Sequence, residues 1–569
     1  MKIKGLLFGL FACAALAACT NEDIVDNNGN GEQEKVDANL KLVISAATNS
    51  SRATEGNETL EGLENESNVS SAVVILYNEE LPGNSELYKF PNLQAQDGIC
   101  TMDLVVKQSG TYYPLVIVNP SEGIESIVNG TEDNAKKYGD ILNYEYKATG
   151  GAGIVANQAA VKGIIGGNAM NKFLMTNKEQ EPITVNSNSS AAPQPVNIKV
   201  ERVVSKITFM PGGESKDNAY SATVATVAYS QQGGTFWFLG AEDNKPVLLK
   251  NLAKAKSGEK VLWIDTRTNT AYEENGGSYG DGTNAEKHST VSLSDITDWH
   301  FDYDKASATE EWTVKLDAYA LTNLSTAVYP IRHIVRTGAT WDKPAYFGVL
   351  GDNDYIVDPF SAAKNEATFN TDGTLLNGAS EDWFNNALSE VTASQEAANF
   401  ETYFEDLPTG ELAGEHEAKV GKHMTYCLEN VIAKDKQKAG LTTGVIFRGK
   451  LLRNGAELAI AYRYDKKKYY LDEVSMREDN PNFDSNKVEI FKNGNCYYYA
   501  PAITHETGVN MEYAIMRNNI YVLNITGFTG IGFAEIKNIT TSDETDDNFY
   551  LKLSAQILPW KVRLTNIEF

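Results

Sequence analysis

Cys19 is the residue for which the sequence predicts the most specific chemistry. It ends the sequence LAAC at 16–19, directly after an apolar run that follows two lysines. A basic start, a short apolar run and small residues before a cysteine are typical of a signal peptide with a lipoprotein cleavage site. We therefore expect 1–18 to be removed and Cys19 to be acylated. An N-terminal core helix is the alternative, but the basic residues and the cleavage site argue against it.

The segment 19–37 is rich in Asn, Gly and acidic residues. It has too little apolar surface to pack, so we expect a flexible tether between the lipid and the folded body. Several acyl chains on one cysteine suffice for stable anchoring in a membrane.

Ser361 and Lys364 have the SxxK spacing of a serine nucleophile and its lysine base, and the sequence KSG at 256–258 resembles the KTG element of the same penicillin-recognising enzymes. The order of the two motifs is wrong, because SxxK comes first in those enzymes. The sequence also has no GxSxG motif, no P-loop and no GxGxxG after a strand. We therefore predict no enzymatic activity and no catalytic residue.

The residue types that bind metals are scattered. His416, Glu417 and His423 do not have HExxH spacing. The acidic groups at 352–354 and 543–547 lack the spacing of an EF-hand loop. We predict no metal and no cofactor.

Length and composition indicate the class of fold. The chain has 569 residues, which favours two domains. Its 28 Tyr and 21 Phe, with little helical periodicity, favour a mainly β structure. The net charge of −26 argues against nucleic-acid binding, which needs a surplus of Lys and Arg on one face.

Beyond Cys19 the cysteines are Cys100, Cys427 and Cys496, with no CxxC pair. They allow at most one disulfide within the chain, and the sequence does not define its partners.

The segment 38–46 alternates between apolar and polar residues, with one exception at Val43. This pattern predicts a half-buried β-strand. A polar stretch follows at 48–57 and places Arg52 in an exposed loop, where it is accessible to a protease. An ordinary solvated arginine is the alternative. The buried face of the strand holds Leu40, Leu42, Ile44 and Ala46.

Further strands are predicted at 71–77, 111–118 and 196–210, and they would form a first β domain that ends in a linker at 211–213. The segment 152–176 predicts either a weak helix or a long loop. Strands of a second domain are predicted at 220–230, 234–239, 260–264, 445–452, 458–464 and 496–500. Apolar residues at helical spacing predict a helix between Glu381 and Leu407.

The last segment alternates again from Tyr550 to Ile557, and a second apolar pattern follows Pro559. Its apolar residues beyond the proline include Val562, Leu564, Ile567 and Phe569. Such a strand either pairs within its own sheet or is offered to another chain.

Three stretches resemble the fimbrillins of Bacteroidales, the pilins of type V pili, and most closely the shaft subunit of their short fimbriae. These stretches are VERVVSK at 200–206, RNNIY at 517–521 and ILPWKV at 557–562. Acidic residues after the lipidated cysteine also resemble the surface-export signal of Bacteroidales lipoproteins. The resemblance covers most of the chain and is weakest from about 215 to 500.

The resemblance implies two β-sandwich domains of transthyretin-like or Ig-like type, with a few decorating helices and a C-terminal donor strand. The implied units are 1–18 (signal peptide), 19–37 (tether), 38–52 (strand removed on maturation), 53–213 and 214–548 (β domains) and 549–569 (donor region).

The resemblance also implies a mechanism. The lipidated precursor is anchored in the outer membrane and exported to the cell surface. There an arginine-specific protease cuts between Arg52 and Ala53, and the strand with Leu40, Leu42, Ile44 and Ala46 leaves a groove. A neighbouring subunit fills the groove with the donor side chains Val562, Leu564, Ile567 and Phe569. The partners are then copies of this chain and accessory fimbrial subunits.

Two other functional hypotheses remain open. A tip subunit or surface adhesin would bind host protein or glycan, for which the region 215–500, rich in Tyr and Trp, could provide a shallow site. A monomeric lipoprotein for glycan capture or hydrolysis is the third alternative.

Overall fold

The computed structural model describes the chain in segments separated by gaps. The described residues are 35–46, 60–61, 63, 65–93, 100–148, 160–186, 194–210, 219–231, 236–239, 246–249, 252–257, 260–265, 270–273, 289–291, 304–368, 383–386, 400–438, 440–500, 502–528, 530–536 and 551–561.

These residues form a mainly β structure, as the composition and patterning predicted. In the first part of the chain the strands are β1 (Lys35–Ala46), β2 (Leu60–Glu61), β3 (Ala72–Tyr77), β4 (Glu86–Phe90), β5 (Cys100–Gln108), β6 (Gly110–Val118), β7 (Tyr146–Lys147), β8 (Met175–Asn177), β9 (Ile183–Val185), β10 (Gln194–Arg202) and β11 (Ser205–Met210).

The strands of the middle part are shorter, except for two long ones that pair with each other. They are β12 (Ala219–Gln231), β13 (Phe236–Leu239), β14 (Pro246–Leu249), β15 (Leu252–Ser257), β16 (Lys260–Asp265), β17 (Thr270–Glu273), β18 (Ser289–Val291), β19 (Asp304–Thr322), β20 (Leu324–Ser325), β21 (Ala327–Val328), β22 (His333–Val335), β23 (Ala345–Tyr346) and β24 (Tyr355–Ile356).

The last part of the chain completes the sheets. Its strands are β25 (Phe384–Asn385), β26 (Glu405–Asp406), β27 (Lys422–Cys427), β28 (Gly444–Arg453), β29 (Ala456–Glu457), β30 (Ile460–Tyr464), β31 (Lys468–Tyr470), β32 (Val488–Lys492), β33 (Asn495–Ala500), β34 (Asn519–Phe528) and β35 (Leu551–Lys561).

The helices are short and lie between strands. They are α1 (Glu122–Gly130), α2 (Asn134–Leu142), α3 (Lys162–Ile165), α4 (Ser361–Asn365), α5 (Gly414–Val420) and α6 (Glu473–Asp479). Among the described residues, no helix has the length and apolar character needed to cross a membrane.

Three large sheets form the body. The first sheet has the order β4-β3-β6-β8-β10-β1-β5, with β9 beside β6. The second sheet has the order β2-β35-β34-β11-β27. The third sheet has the order β29-β28-β19-β12-β31-β30-β32, with β26 beside β19 and β33 beside β28.

The second sheet is covered on both faces, and β34 shows how the sequence achieves this. Ile520 and Val522 are buried in the core of the first sheet, whereas Tyr521 and Leu523 are buried in the core shared with the third sheet. Because successive side chains of a strand point to opposite faces, a strand buried on both faces needs a continuous apolar run. The run 520–523 meets this need.

The structure corrects one expectation about local structure. The segment 196–210, expected as one strand, is two strands in different sheets, because the chain passes from β10 to β11 at Val203 and Val204. Most of the helix expected between 381 and 407 lies outside the described residues, because they include only 383–386 and 400–407 of this range. These described parts contain β25, a short 3-10 turn at Glu401–Tyr403 and β26. Within 152–176 the described residues form α3, a 3-10 turn and the start of β8.

The disulfide that the sequence left open does not form: Cys100, Cys427 and Cys496 are free thiols, and all three are buried. Burial raises the pKa of the Cys427 and Cys496 thiols to about 12, so they are poor nucleophiles at neutral pH.

Candidate functional site: a central first strand and the seam beside it

The first described strand of the chain lies inside the first sheet. β1 runs parallel to β10, with Leu40 opposite Gln194 and Ala46 opposite Val200. On its other side β1 runs antiparallel to β5, from Ala38 opposite Val106 to Ile44 opposite Cys100. Both backbone edges of β1 are therefore paired, and its loss would expose unpaired backbone groups on two neighbours.

The side chains of β1 alternate as the sequence predicted. Ala38, Leu40 and Leu42 are fully buried, whereas Lys41 is exposed and Asn39 and Val43 are half-buried. The buried residues belong to the core of the first sheet. Burying two leucines contributes roughly 3 to 6 kcal/mol by the area rule, before any ordering cost. The backbone of Ile44 and Ala46 continues the pairing, but their side chains lie outside the described residues.

β5, on the far side of β1, has anchors of its own. The Tyr88 hydroxyl donates a hydrogen bond to the Val105 carbonyl at 2.9 Å, and the Lys107 amide donates to the Glu86 carboxylate at 2.8 Å. β4 and β5 are the two end strands of the first sheet, and both contacts join them directly. Ser109 alone separates β5 from β6 in the chain. These links keep β5 in place by means that do not involve β1.

Beside the first sheet, a seam of buried charges joins it to the second sheet. We use seam for the residues 201–206, 516–519, Glu66, Glu429 and Arg332. The side chains of Glu66, Arg202 and Lys206 are almost fully buried. Such charges are costly unless every one of them is paired.

Glu66 is the centre of the seam. Its carboxylate accepts hydrogen bonds from the Lys206 ammonium at 2.6 Å and the Tyr426 hydroxyl at 2.5 Å. Its backbone carbonyl accepts from the Arg202 guanidinium at 2.9 Å. Burial alone would raise the pKa of Glu66, but the Lys206 charge, these hydrogen bonds and the Arg202 charge outweigh it and hold the pKa at about 2.

The seam brings together two of the three stretches that carried the family resemblance. The side-chain oxygen of Asn518 accepts from the backbone amide and the guanidinium of Arg202, at 3.2 and 3.3 Å. The Ser205 hydroxyl donates to the Met516 carbonyl at 2.6 Å. VERVVSK and RNNIY are thus the two sides of one interface, which the sequence did not reveal.

Two further ion pairs close the seam. Glu201 pairs with Arg332 at 2.6 Å, and Glu429 pairs with Arg517 at 2.7 Å, with all four side chains buried. Arg517 also donates to the carbonyls of Tyr329 and Pro330. Sequence reasoning missed Glu66, Glu429 and Arg332, because they lie far along the chain from the motifs they pair with.

The C-terminal region contributes a strand to its own chain. β35 pairs antiparallel with β34, from Asn519 opposite Pro559 to Phe528 opposite Leu551. β2, which follows the expected cleavage site, pairs parallel with the end of β35 through Leu60 opposite Trp560 and Glu61 opposite Lys561. Residues 557–561 of the third stretch of the resemblance therefore lie in the second sheet.

Several residues singled out from the sequence lie outside the described residues. They are Cys19, Arg52, Ala53, Val562, Leu564, Ile567 and Phe569. No cluster of side chains suited to a metal ion occurs in the part of the chain that the structure describes.

Comparisons with protein families find a match in the C-terminal part of the chain. Residues 489–566 match the family described as major fimbrial subunit protein type IV, fimbrillin, C-terminal. This stretch includes β34 and β35, and it contains RNNIY and ILPWKV. Over these residues the match confirms the resemblance to fimbrillins that the sequence motifs indicated. No curated protein sequence matches the chain.

The chain is also similar, at low sequence identity, to solved structures of two fimbrial proteins. A fimbrilin from Porphyromonas gingivalis is 12% identical, with 92% of this chain and 98% of that chain covered and a TM-score of 0.38. A C-terminally truncated tip fimbrial protein from Porphyromonas gingivalis is 10% identical, with 92% and 100% covered and a TM-score of 0.36.

The seam predicts a specific response to acid. Glu66 has a lower pKa in the folded state than its ordinary value of 4.5, so its contribution to stability is present above that value. The contribution disappears as pH falls from about 4.5 towards 2. We expect Glu66→Gln to lower the free energy of unfolding by about 3 to 5 kcal/mol at pH 7 and to flatten its dependence on pH below 4.5. Denaturant titrations at several pH values measure both effects.

The exposed pair Lys136 and Asp140 provides a matched control. It has the same 2.6 Å contact, but both side chains are solvent-exposed. Lys136→Ala should change stability by no more than about 0.5 kcal/mol. Equal losses for Lys136→Ala and Glu66→Gln would show that the seam is not a buried network.

The alternation of β1 predicts a contrast between neighbouring positions. Leu42→Asp places a charge in the core of the first sheet and should destabilise the uncut chain by about 3 kcal/mol or more. Lys41→Asp changes an exposed side chain and should cost less than about 1 kcal/mol. Thermal unfolding of the two variants compares them directly, and equal losses would contradict the buried position of Leu42.

Proposed function

We propose that this chain is a structural subunit of a surface fimbrium, and that it polymerises by strand exchange after a proteolytic cut. The single observation that carries the proposal is the position of β1. It is the first described strand of the chain, it is paired along both edges, and Arg52 follows its end by a few residues.

A cut after Arg52 would separate β1 covalently from the rest of the subunit. The departure of β1 would leave β10 and β5 with unpaired edges and would expose the apolar surface that Ala38, Leu40 and Leu42 cover. β5 keeps its contacts with β4 and its short link to β6, so the walls of the groove persist. An incoming strand restores the backbone hydrogen bonds and buries apolar side chains without an external energy source.

The donor is the segment 562–569, with Val562, Leu564, Ile567 and Phe569 as the side chains that fill the groove. Residues 551–561 pair with β34 and β2 of their own chain, which supports a division of the region 549–569 into an internal strand and a donor. The family match over 489–566 supports a fimbrial subunit.

In this proposal the precursor is a lipoprotein, acylated at Cys19 and anchored in the outer membrane until an arginine-specific surface protease releases it. The mature form lies in the fimbrium, with copies of itself and accessory subunits as partners. Host protein or glycan is the expected ligand of the assembled fibre. A tip adhesin is the second candidate, which would accept a strand without donating one.

Limited trypsin digestion of the soluble chain 20–569 tests the trigger. We expect cleavage after Arg52, followed by ladders or fibres on native gels and in electron micrographs. Arg52→Ala should remain monomeric under the same digestion, whereas Arg52→Lys, which trypsin still cuts, should assemble. Efficient assembly of the uncut Arg52→Ala chain would show that cleavage is not the trigger.

Deletion of 562–569 tests the donor. This truncation leaves β35 intact, so the cut protein should fold and remain monomeric. When mixed with cut full-length chain it should terminate polymers, because it can accept a strand but cannot donate one. Normal fibres from the truncated chain alone would refute the assignment, and a full-length chain that stays monomeric after clean cleavage would favour a tip adhesin.

A further inference from the structure

A lysine, an aspartate and an asparagine meet in the interior beside α4. Lys364, in the SxxK sequence, is fully buried, and so is Asp358; Asn430 is 1% exposed. The Lys364 Nζ atom lies 3.0 Å from Asp358 Oδ2 and 3.0 Å from Asn430 Oδ1. The serine of the motif is engaged with the backbone, because its hydroxyl accepts from the Asp358 amide at 2.9 Å and donates to the Val431 carbonyl at 3.4 Å.

The amide of Asn430 has a fixed orientation. Its Nδ2 atom donates to the backbone carbonyls of Asn323 at 3.0 Å and Leu441 at 2.9 Å. A carbonyl oxygen can only accept, so nitrogen must occupy this side of the amide and oxygen must face Lys364. The Cγ atom of Asn430 is then at most about 4.2 Å from Nζ, since it is one C=O bond from Oδ1.

Two backbone amides hold the Asp358 carboxylate in place beside Lys364. Its Oδ2 accepts from the Val431 amide at 3.1 Å, and its Oδ1 accepts from the Phe360 amide at 2.8 Å. The centroid of the Phe384 ring lies 5.0 Å from Nζ, so an aromatic face packs against the amine. Burial lowers the pKa of Lys364, against the attraction of the Asp358 charge, and so favours the neutral amine.

We infer that Lys364 and Asn430 join in an isopeptide bond that the folded chain forms by itself. Every reactant is present: a buried amine with a lowered pKa, a carboxamide within reach, and a carboxylate in contact with the amine. Reacting groups fixed at such distances in the protein interior gain a large effective concentration.

The atoms of the step balance. Asp358 takes a proton from the Lys364 ammonium, and the freed Nζ lone pair attacks Cγ of Asn430. The Cγ–Nδ2 bond breaks with its electron pair on Nδ2, which receives the proton held by Asp358 and departs from Cγ as ammonia. Asp358 then takes the second proton from Nζ and passes it to this ammonia, which leaves the site as ammonium. One amide replaces another, so no oxidant, reductant or activated co-reactant is needed.

The bond would join α4 to the segment that follows β27, over a sequence separation of 66 residues. Cross-links of this span stabilise mainly by restricting the unfolded chain. The three described cysteines form no disulfide, so this would be a covalent tie that does not depend on redox conditions.

Intact mass spectrometry of the denatured chain 20–569 provides the test. We expect a mass below the sequence mass by one ammonia, and a branched tryptic peptide that joins Lys364 to Asn430. The peptide that contains Lys206, the buried lysine paired with Glu66, should be linear and serves as an internal control. Full mass would overturn the inference, and so would an ammonia loss confined to linear peptides, since that indicates an ordinary succinimide.

Two variants test the roles of the residues. Lys364→Met removes the nucleophile and should restore the full mass. Asp358→Asn retains both reacting groups but removes the proton carrier, and it should also show full mass with unbranched peptides. Circular dichroism establishes whether each variant folds. If Asp358→Asn folds and still forms the bond, Asp358 has no part in the step. If this variant does not fold, the peptide map of the chain without substitutions decides whether the bond forms.

Discussion

The burial of both faces of the second sheet is the constraint on which the rest of the structure depends. In β34, Ile520 and Val522 pack in the core of the first sheet, and Tyr521 and Leu523 pack in the core shared with the third sheet. Any shift of this strand by one residue would exchange the two sets of side chains between the cores. The register of β34 therefore determines which side chains pack against the first sheet and which pack against the third sheet.

The charged seam completes this arrangement at the point where the chain crosses from β10 to β11. Apolar packing alone would tolerate small rotations, whereas pairs such as Glu66 with Lys206 and Glu201 with Arg332 require defined positions. Buried pairs of this kind contribute little net stability compared with apolar replacements, but losing one partner is costly. The seam thus defines the relative position of the elements that it joins. It also links Glu66, which follows the expected cleavage site in the chain, to both sheets.

Much of the fold was predictable from local patterns. The period-2 alternation at 38–46 corresponds to β1, because a strand with one buried face leaves a clear signal. The apolar runs at 71–77 and 111–118 correspond to β3 and β6, whose consecutive side chains are buried on both faces over much of their length. The crossing at Val203 and Val204 was not predictable, since an apolar pair continues a strand as readily as it ends one. The helix expected between 381 and 407 followed from aromatic spacing, and it stays a prediction because 387–399 lie outside the described residues. The two ends of this range are buried separately, with Phe384 and Phe400 in different small clusters.

The candidate site was only partly visible in the sequence. Its strand could be predicted, because alternation marks the face that Leu40 and Leu42 bury. The strands that pair with it could not be predicted, because β10 and β5 are distant in sequence. They pair with β1 through backbone groups, which every residue has, so the sequence carries no signal of the pairing. The same holds for Lys364, whose local motif suggested a serine enzyme, while the residues that it contacts include Asn430, far along the chain.

The pairing of β35 also determines how the subunit would carry a load. Its hydrogen bonds to β34 run from Leu551 to Pro559 and lie across the strand axis. A pull along that axis at the C-terminal end would shear these bonds together, whereas peeling would break them one after another. Tension on the end of the chain would then pass from β34 to β11 and through the seam into the first sheet, so the molecule would resist stretching as one body.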